Sequence, residues 1–189
     1  LALFMLPACS FCKQAGGKTV PPKNTLTIQL KNILFNVIKQ NENADNMLEM
    51  IKDSGNSLTT KQIILLSKTA NIINTKMANI LKETKKIILK AESSRETMLY
   101  SSLILNNSKS LESRTGKLLK ISKKFLSANS RSFFRDAPIS GKKSKKGVDL
   151  SLIIKRYDAA AKFSLSAENL KKTSARLRAA AKWLYIVSK

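Results

Sequence analysis

A helical pattern runs through residues 149–187, which read DLSLIIKRYDAAAKFSLSAENLKKTSARLRAAAKWLYIV and contain neither Gly nor Pro. Small and apolar residues recur there in alternating steps of four and three, so they lie on one side of a helix. That stripe comprises Phe163, Ala167, Leu170, Ser174, Leu177, Ala181 and Leu184. The other side is strongly cationic, with Lys155, Lys162, Lys171, Lys172, Arg176, Arg178 and Lys182 against Asp158 and Glu168. The pattern predicts a long C-terminal helix whose apolar stripe is covered by shorter helices.

The same spacing predicts further helices upstream. They cover residues 25–53, 57–91, 98–107 and 108–129. A stop signal at Ser54-Gly55-Asn56 separates the first two, and Ser93-Ser94 after the second either breaks the helix or only weakens it. The chain has 189 residues, of which 43% are hydrophobic, and this is enough for one domain with a core. We therefore expect an all-α fold, an antiparallel bundle of four to five helices with a long C-terminal helix, in a single domain spanning residues 25–189.

The chain carries a large positive charge. Lys and Arg number 35 against 12 Asp and Glu, which gives a formal net charge of +23. From Lys109 onward there are 21 basic and 5 acidic residues, whereas residues 1–108 contain 14 basic and 7 acidic residues. A charge of this size indicates an anionic partner, and its distribution predicts that the binding face lies in the second half of the chain.

The composition argues against catalysis. The sequence contains no His, so it offers no Ser–His or Cys–His nucleophile pair, no His general base and no His metal ligand. The acidic residues are scattered, and the six Gly never form a phosphate-binding GxGxxG or GxxxxGK[ST] arrangement. We expect a protein that is not an enzyme and uses no cofactor or metal.

The first residues point to export. Residues 1–8 form an uncharged apolar run, too short to span a bilayer, that stops at Cys9. The sequence Leu6-Pro7-Ala8-Cys9 resembles the lipobox of bacterial lipoproteins, with Pro7 as its departure from the usual small or aliphatic residue. The resemblance implies that residues 1–8 are the remnant of a signal peptide and that Cys9 becomes a lipidated N-terminus. Residues 9–24, rich in Gly and Pro, would then be the lipid anchor and a flexible tether.

Two other interpretations of the first cysteine remain open. Cys9 and Cys12 form a CxxC pair, which is also found in redox motifs and in halves of zinc sites, although no βαβ pattern and no second ligand pair accompany it. The two thiols can also be an incidental pair in a leader segment. The lipobox interpretation explains the apolar run, its abrupt end and the tether together.

Two groups of cations are the candidate anion-binding residues. Lys117, Lys120 and Lys124 recur at spacings of three and four, so their ammonium groups share one helix face. Downstream lie the remaining candidates: Arg131, Arg135, Lys142, Lys143, Lys145 and Lys146. The last four lie within five residues between two glycines, in a pattern that resembles heparin-binding motifs and also nuclear-localisation or nucleic-acid patches. A solvated loop without a dedicated partner is the alternative.

Nucleic acid is the second candidate partner. Aromatic residues make up 6% of the chain and do not alternate with basic residues, as they tend to in proteins that bind single strands. Trp183 and Tyr185 lie near the end of the last helix, where we expect them to cap its packing rather than to stack on bases. An intracellular basic helical protein that binds nucleic acid is therefore the alternative function.

The helical domain also resembles a known group of surface proteins. Ala167-Glu168-Asn169-Leu170 and Ala179-Ala180-Ala181-Lys182 are similar to the Ala- and Lys-rich last helix of the helical outer-surface lipoproteins of Borrelia-type spirochaetes. The resemblance covers some twenty residues. It implies a lipid-anchored protein at the outer membrane that binds an anionic host glycan or protein without catalysis.

Overall fold

The computed structural model describes residues 23–55, 57–136 and 150–189, and these residues form four helices. The helices are α1 (Lys23–Asp53), α2 (Thr60–Ile88), α3 (Arg95–Asp136) and α4 (Leu150–Val187). The all-α bundle with a long C-terminal helix is confirmed. The predicted signal remnant, anchor and tether up to residue 22 lie outside the described residues, and so does Cys9.

Local chemistry sets the boundary between α1 and α2. Gly55 has a φ of 56°, a left-handed conformation that favours glycine and that ends α1. Thr59 caps α2: its hydroxyl accepts a hydrogen bond from the backbone N–H of Gln62, and its own backbone N–H donates to the Gln62 side chain. The predicted helix boundaries here are confirmed to within a few residues.

Helix α3 differs from the prediction, because it is one helix of 42 residues and is longer than α4, with 38. The pattern had indicated two segments meeting at Asn106 and Asn107. Asn107 instead stays inside the helix, where its side-chain amide donates to the Leu103 carbonyl. Its own carbonyl accepts a bond of 3.0 Å from the side chain of the buried Asn41 on α1. Polar pairing with a neighbouring helix thus offsets the weak helix propensity of Asn.

The four helices pack in a square. Helix α1 contacts α2 and α3, and α4 contacts the same two helices, while α1 and α4 lie across one diagonal and α2 and α3 across the other. Consecutive helices run in opposite directions, and the link from α2 to α3 crosses the diagonal. Consequently α1 lies parallel to its neighbour α3, and α2 lies parallel to α4. The contacts that fix these directions are Thr27–Glu96, Arg114–Asp45, Ser67–Ser166, Ser93–Lys189, Thr115–Ser174 and Arg156–Asn129.

The seam between α3 and α4 is built from small side chains. The Thr115 hydroxyl hydrogen-bonds the Ser174 hydroxyl at 2.7 Å, and stepping seven residues away from this pair in both helices brings small residues together again. The positions paired in this way are Ser101 with Ser188, Ser108 with Ala181, and Ser122 with Ala167, all of them buried. Larger residues one helical step away, including Leu111, Leu118, Phe163 and Leu170, fill the centre of the bundle. The predicted stripe of α4 is buried throughout, as expected.

The bundle has two different ends. The N-terminal end holds the starts of α1 and α3 and the last turns of α2 and α4. The distal end holds Asp53, Thr60, Asp136 and Leu150. Since α1 and α3 begin at the same level but α3 has eleven more residues (42 against 31), α3 and the start of α4 extend beyond α1 by about 15–20 Å. Among the described helices, none has an apolar stretch long enough to traverse a bilayer.

Candidate functional site: a cationic ridge on α3

Four of the predicted site residues form a continuous cationic surface. Lys117, Lys120, Lys124 and Arg131 are all exposed on the outer side of α3, and we call this set the cationic ridge. Helical geometry explains the grouping, because steps of three, four and seven residues return to the same face. The sequence between Glu112 and Asp136 contains no acidic residue. Within the ranges that the structure describes, no ridge cation has an ion pair.

Two acids near the α3–α4 seam, Glu112 and Glu168, are engaged by cations of α4. Glu112 lies at the α3–α4 seam, where its carboxylate accepts bonds from Lys171 at 2.7 Å and from Arg178 at 2.8 Å. These hydrogen bonds, first that of Lys171 and then that of Arg178, lower the pKa of Glu112 below its usual value of 4.5, although partial burial opposes the shift. Glu112 therefore stays ionised and neutralises α4 rather than the ridge.

A second acid at this seam behaves in the same way. Glu168 pairs with Lys172 at 2.8 Å within α4. The Lys172 bond and charge, with a smaller contribution from Lys123 on α3, lower the pKa of Glu168. Glu112 and Glu168 thus do not neutralise the ridge cations.

Arg114 begins the same basic run in the sequence but has a structural position. Its guanidinium donates to the side chains of Asp45 and Asn41 on α1, and to Ser110 on its own helix. Arg114 joins α1 to α3 and is not part of the ridge. Spacing alone separates the two roles poorly, because Arg114 lies only three residues before Lys117.

The remaining predicted site residues lie outside the described part of the structure. Arg135 belongs to the last turn of α3, and its side chain is not among those described. Lys142, Lys143, Lys145, Lys146 and Cys9 are outside the described residues altogether. The positions that flank the lysine segment in the chain, Asp136 and Leu150, are both at the distal end.

Helix α2 carries an excess of positive charge that the comparison of the two halves of the sequence did not show. Helix α1 carries four basic and four acidic residues and is neutral overall. Helix α2 carries six lysines against the single acid Glu83, so it is strongly basic although it belongs to the first half of the chain. Counting the charges of each predicted helix, rather than of each half of the chain, would have shown that α2 is basic.

The prediction for Trp183 was wrong. Its side chain is 62% exposed, so it does not cap the packing of α4. A signal for this was present in the spacing: the buried stripe passes through Ala181 and Leu184, and Trp183 falls between these positions on the outer side.

The described surface contains several clefts, and one of them is lined in part by Lys124 of the ridge. A cleft of about 460 Å³ lies between α1 and α2, with amide side chains such as Asn32, Asn36 and Asn79 above an apolar floor that includes Ile33. Among the described residues, no group of three or more His, Cys, Asp or Glu side chains is arranged to hold a metal ion.

The chemistry of the ridge is that of a polyanion contact. Lysines at these spacings repel one another, and an anion bound across them removes the repulsion. Ammonium groups act as point charges and accept sulfate, phosphate or carboxylate without a strict geometry, whereas the guanidinium of Arg131 can bind such groups with two parallel bonds.

The chain matches no known family model, no curated protein and no solved structure.

Proposed function

We propose that this protein is a lipid-anchored, surface-exposed basic lipoprotein of the outer membrane that captures an anionic host ligand through the cationic ridge. The ligand is a glycosaminoglycan or an acidic protein, and capture is electrostatic and non-enzymatic. The observation that carries the proposal is the contrast on α3 and α4: Glu112 and Glu168 are paired with cations of α4, while the exposed ridge cations are left without acidic partners in the described structure.

The placement of the ridge supports this proposal. Helix α1 begins at the N-terminal end, so a lipid on Cys9 and the tether after it would join the bundle there. At about 1.5 Å per residue, Lys117 and Arg131 lie about 33 and 54 Å along α3 from its first residue. An anchored bundle standing on its N-terminal end would present the ridge away from the membrane.

A salt-elution series on immobilised heparin tests the ridge. Replacing Lys117, Lys120, Lys124 and Arg131 with Ala should lower the NaCl concentration at which the protein elutes. The magnitude of the slope of log affinity against log salt should also fall by about 3, since each of the four lost contacts releases about 0.7–0.9 counterion fewer.

The matched control removes four charges elsewhere. Lys61, Lys68, Lys76 and Lys82 are exposed lysines of α2, and their replacement with Ala changes the net charge by the same amount. We expect this variant to elute close to the unmodified protein. Equal losses in the two variants would contradict a dedicated ridge and indicate attraction by net charge alone.

The four lysines between Gly141 and Gly147 are tested separately. Lys142, Lys143, Lys145 and Lys146 changed to Ala should weaken heparin retention further when combined with the ridge changes. If the unmodified protein elutes near physiological salt and these four changes leave its elution unaltered, the assignment of these four lysines is refuted.

The anchor is tested by mass spectrometry of the mature chain. A diacylglyceryl-modified Cys9 at the N-terminus supports the lipoprotein and excludes the intracellular nucleic-acid binder. A mature chain that retains residues upstream of Cys9 and no lipid would contradict the anchor and favour that alternative.

A further inference from the structure

Several large apolar side chains are exposed at the N-terminal end of the bundle. Leu89, in the link after α2, is 87% exposed, and Trp183 and Ile186 in the last turns of α4 are 62% and 47% exposed. Met98 in the first turn of α3 and Val187 are also exposed. We call these five residues the apolar cap. Each costs free energy in water, so their presence together at one end calls for a covering partner.

Helical spacing groups three members of the apolar cap, and a hydrogen bond ties the link after α2 to the end of α4. Trp183, Ile186 and Val187 are three and four residues apart, so they share one face of α4. The Ser93 hydroxyl donates to the Lys189 carbonyl at 2.9 Å, which fixes the link between α2 and α3 against the end of α4. This bond brings the link that carries Leu89 beside the last turn of α4.

The charges around the apolar cap are mainly positive. Lys90, Lys182 and Lys189 are exposed near it, and the Lys189 ammonium lies over the Tyr185 ring, 4.8 Å from its centre. The acids at this end are Glu92 in the link and Glu96 in the first turn of α3, and the sequence contains no acid after Glu168. A mixture of Trp, aliphatic side chains and lysines is the composition that lies at the interface of an anionic lipid bilayer.

We infer that the apolar cap is a membrane-binding surface that places the N-terminal end of the bundle on the anionic lipid bilayer. The inference rests on the proposed function in one respect, because a lipid on Cys9 would hold this end at the bilayer. The covering partner is a bilayer rather than a second copy of the chain for two reasons. The surface lies at the end of the bundle where residues 1–22 join it, and a net charge of +23 opposes association between copies.

Trp183 supplies a direct readout, because it is the single tryptophan of the chain. The experiment uses the full 189-residue chain prepared without acylation, and adds vesicles of phosphatidylcholine with and without phosphatidylglycerol. We expect the Trp183 emission to shift to the blue and its quenching by acrylamide to fall when the anionic vesicles are present. The protein should also sediment with these vesicles.

A matched pair of substitutions locates the surface. Ile186→Asp should weaken vesicle binding by roughly tenfold or more. The substitution removes one apolar side chain that the bilayer would bury, and it adds a negative charge that the anionic lipid repels. Leu165→Asp makes a comparable change at an exposed leucine in the middle of the same helix, and should leave binding within about twofold.

Other outcomes would overturn the inference. Equal effects of the two substitutions, or no change in Trp183 emission with any vesicle, would exclude a membrane-binding cap. A blue shift that follows protein concentration without vesicles would assign the surface to a second copy. The elution of Ile186→Asp from heparin separates this inference from the proposed function. If the variant loses vesicle binding but elutes from heparin like the unmodified protein, the apolar cap and the cationic ridge are distinct surfaces. If the unmodified protein is not retained on heparin, the proposed function fails while the vesicle result still stands.

Discussion

Ser108 is a buried hydroxyl in the middle of α3 whose oxygen has no hydrogen-bond partner in the described structure. It faces Ala181 across the seam, so the partner helix offers only a methyl group there. A buried polar group left unpaired is destabilising, because it loses its bonds to water without replacing them.

Replacing Ser108 with Ala should therefore stabilise the protein. The control is Ser122→Ala in the same column of α3, because the Ser122 hydroxyl donates to the Leu119 carbonyl at 2.9 Å and both changes gain the same helix propensity. We expect Ser108→Ala to raise the free energy of unfolding by about 1 kcal/mol more than Ser122→Ala, measured by urea denaturation. A larger gain for Ser122→Ala would contradict the unpaired state of Ser108.

Glu112 has the opposite character, since its carboxylate is held by two cations. Glu112→Gln should lower the free energy of unfolding at neutral pH by about 1–2 kcal/mol, a value reduced by the half-exposed position of Arg178. Because folding lowers the pKa of Glu112, its contribution is present above the usual value of 4.5 and is lost as the pH falls through the lowered value.

The difference between the unmodified protein and Glu112→Gln should accordingly close as the pH falls below 4.5, measured by denaturation at a series of pH values. Glu83→Gln is the control, because Glu83 forms an exposed ion pair with Lys86 within α2. This substitution should change the free energy of unfolding by only a few tenths of a kcal/mol. A stability difference for Glu112→Gln that is independent of pH would argue against the ion pairs as its source.

At the residue level, helical spacing predicted which lysines share the ridge, but it did not predict the ion pairs of the acids nearby. Lys117, Lys120 and Lys124 follow from helical geometry alone, and so does their exposure. The engagement of Glu112 by Lys171 and Arg178 joins residues 59 and 66 positions apart, and no local pattern contains that information.

The seam between α3 and α4 is the main feature at the level of elements. Ala and Ser at every seventh position allow two helices to approach closely, and a larger side chain there forces them apart. Ala167→Leu should therefore destabilise the protein by about 1–3 kcal/mol, measured by thermal or urea unfolding. Ala179→Leu, at an exposed position of the same helix, should change stability by no more than about 0.5 kcal/mol. Equal effects would mean that the seam tolerates bulk and is not closely packed.

Helix boundaries were predictable where the sequence carries cap or stop signals. Gly55 and Thr59 mark the end of α1 and the start of α2, and the structure uses both. Asn106 and Asn107 carry the same kind of local signal but are overruled by the repeat that continues through Leu111 and Leu118 and by the bond to Asn41. The local signals alone therefore did not predict the full length of α3.

At the scale of the whole molecule, the diagonal link was not predictable from periodicity. A four-helix pattern with short links is compatible with several arrangements around the square, and no local pattern contains long-range contacts such as Thr27 with Glu96 and Ser67 with Ser166. These pairs show that α3 is the parallel neighbour of α1, and α4 the parallel neighbour of α2.

The net charge of +23 should make the stability of the bundle depend on salt. Three helices are strongly basic and α1 is neutral, so repulsion between cations opposes the compact state. We expect the Tm to rise as NaCl increases from low concentration to about 0.15 M, where the screening length is about 8 Å. The rise should be smaller in the variant that lacks the four ridge cations, measured by calorimetry. A Tm that falls with salt would show that the surface ion pairs outweigh the repulsion.

The seven-residue repeat of small side chains between α3 and α4 also has a consequence for how the two helices find their alignment. Because similar residues recur along both strips, sliding one helix past the other by a single repeat, about 10 Å, again sets small residues against small residues. The Thr115–Ser174 bond and the two cations on Glu112 are matched in only one of these positions. The polar groups at this otherwise uniform contact therefore set the register of α3 against α4. Their loss would leave the two helices with more than one register in which they can pack.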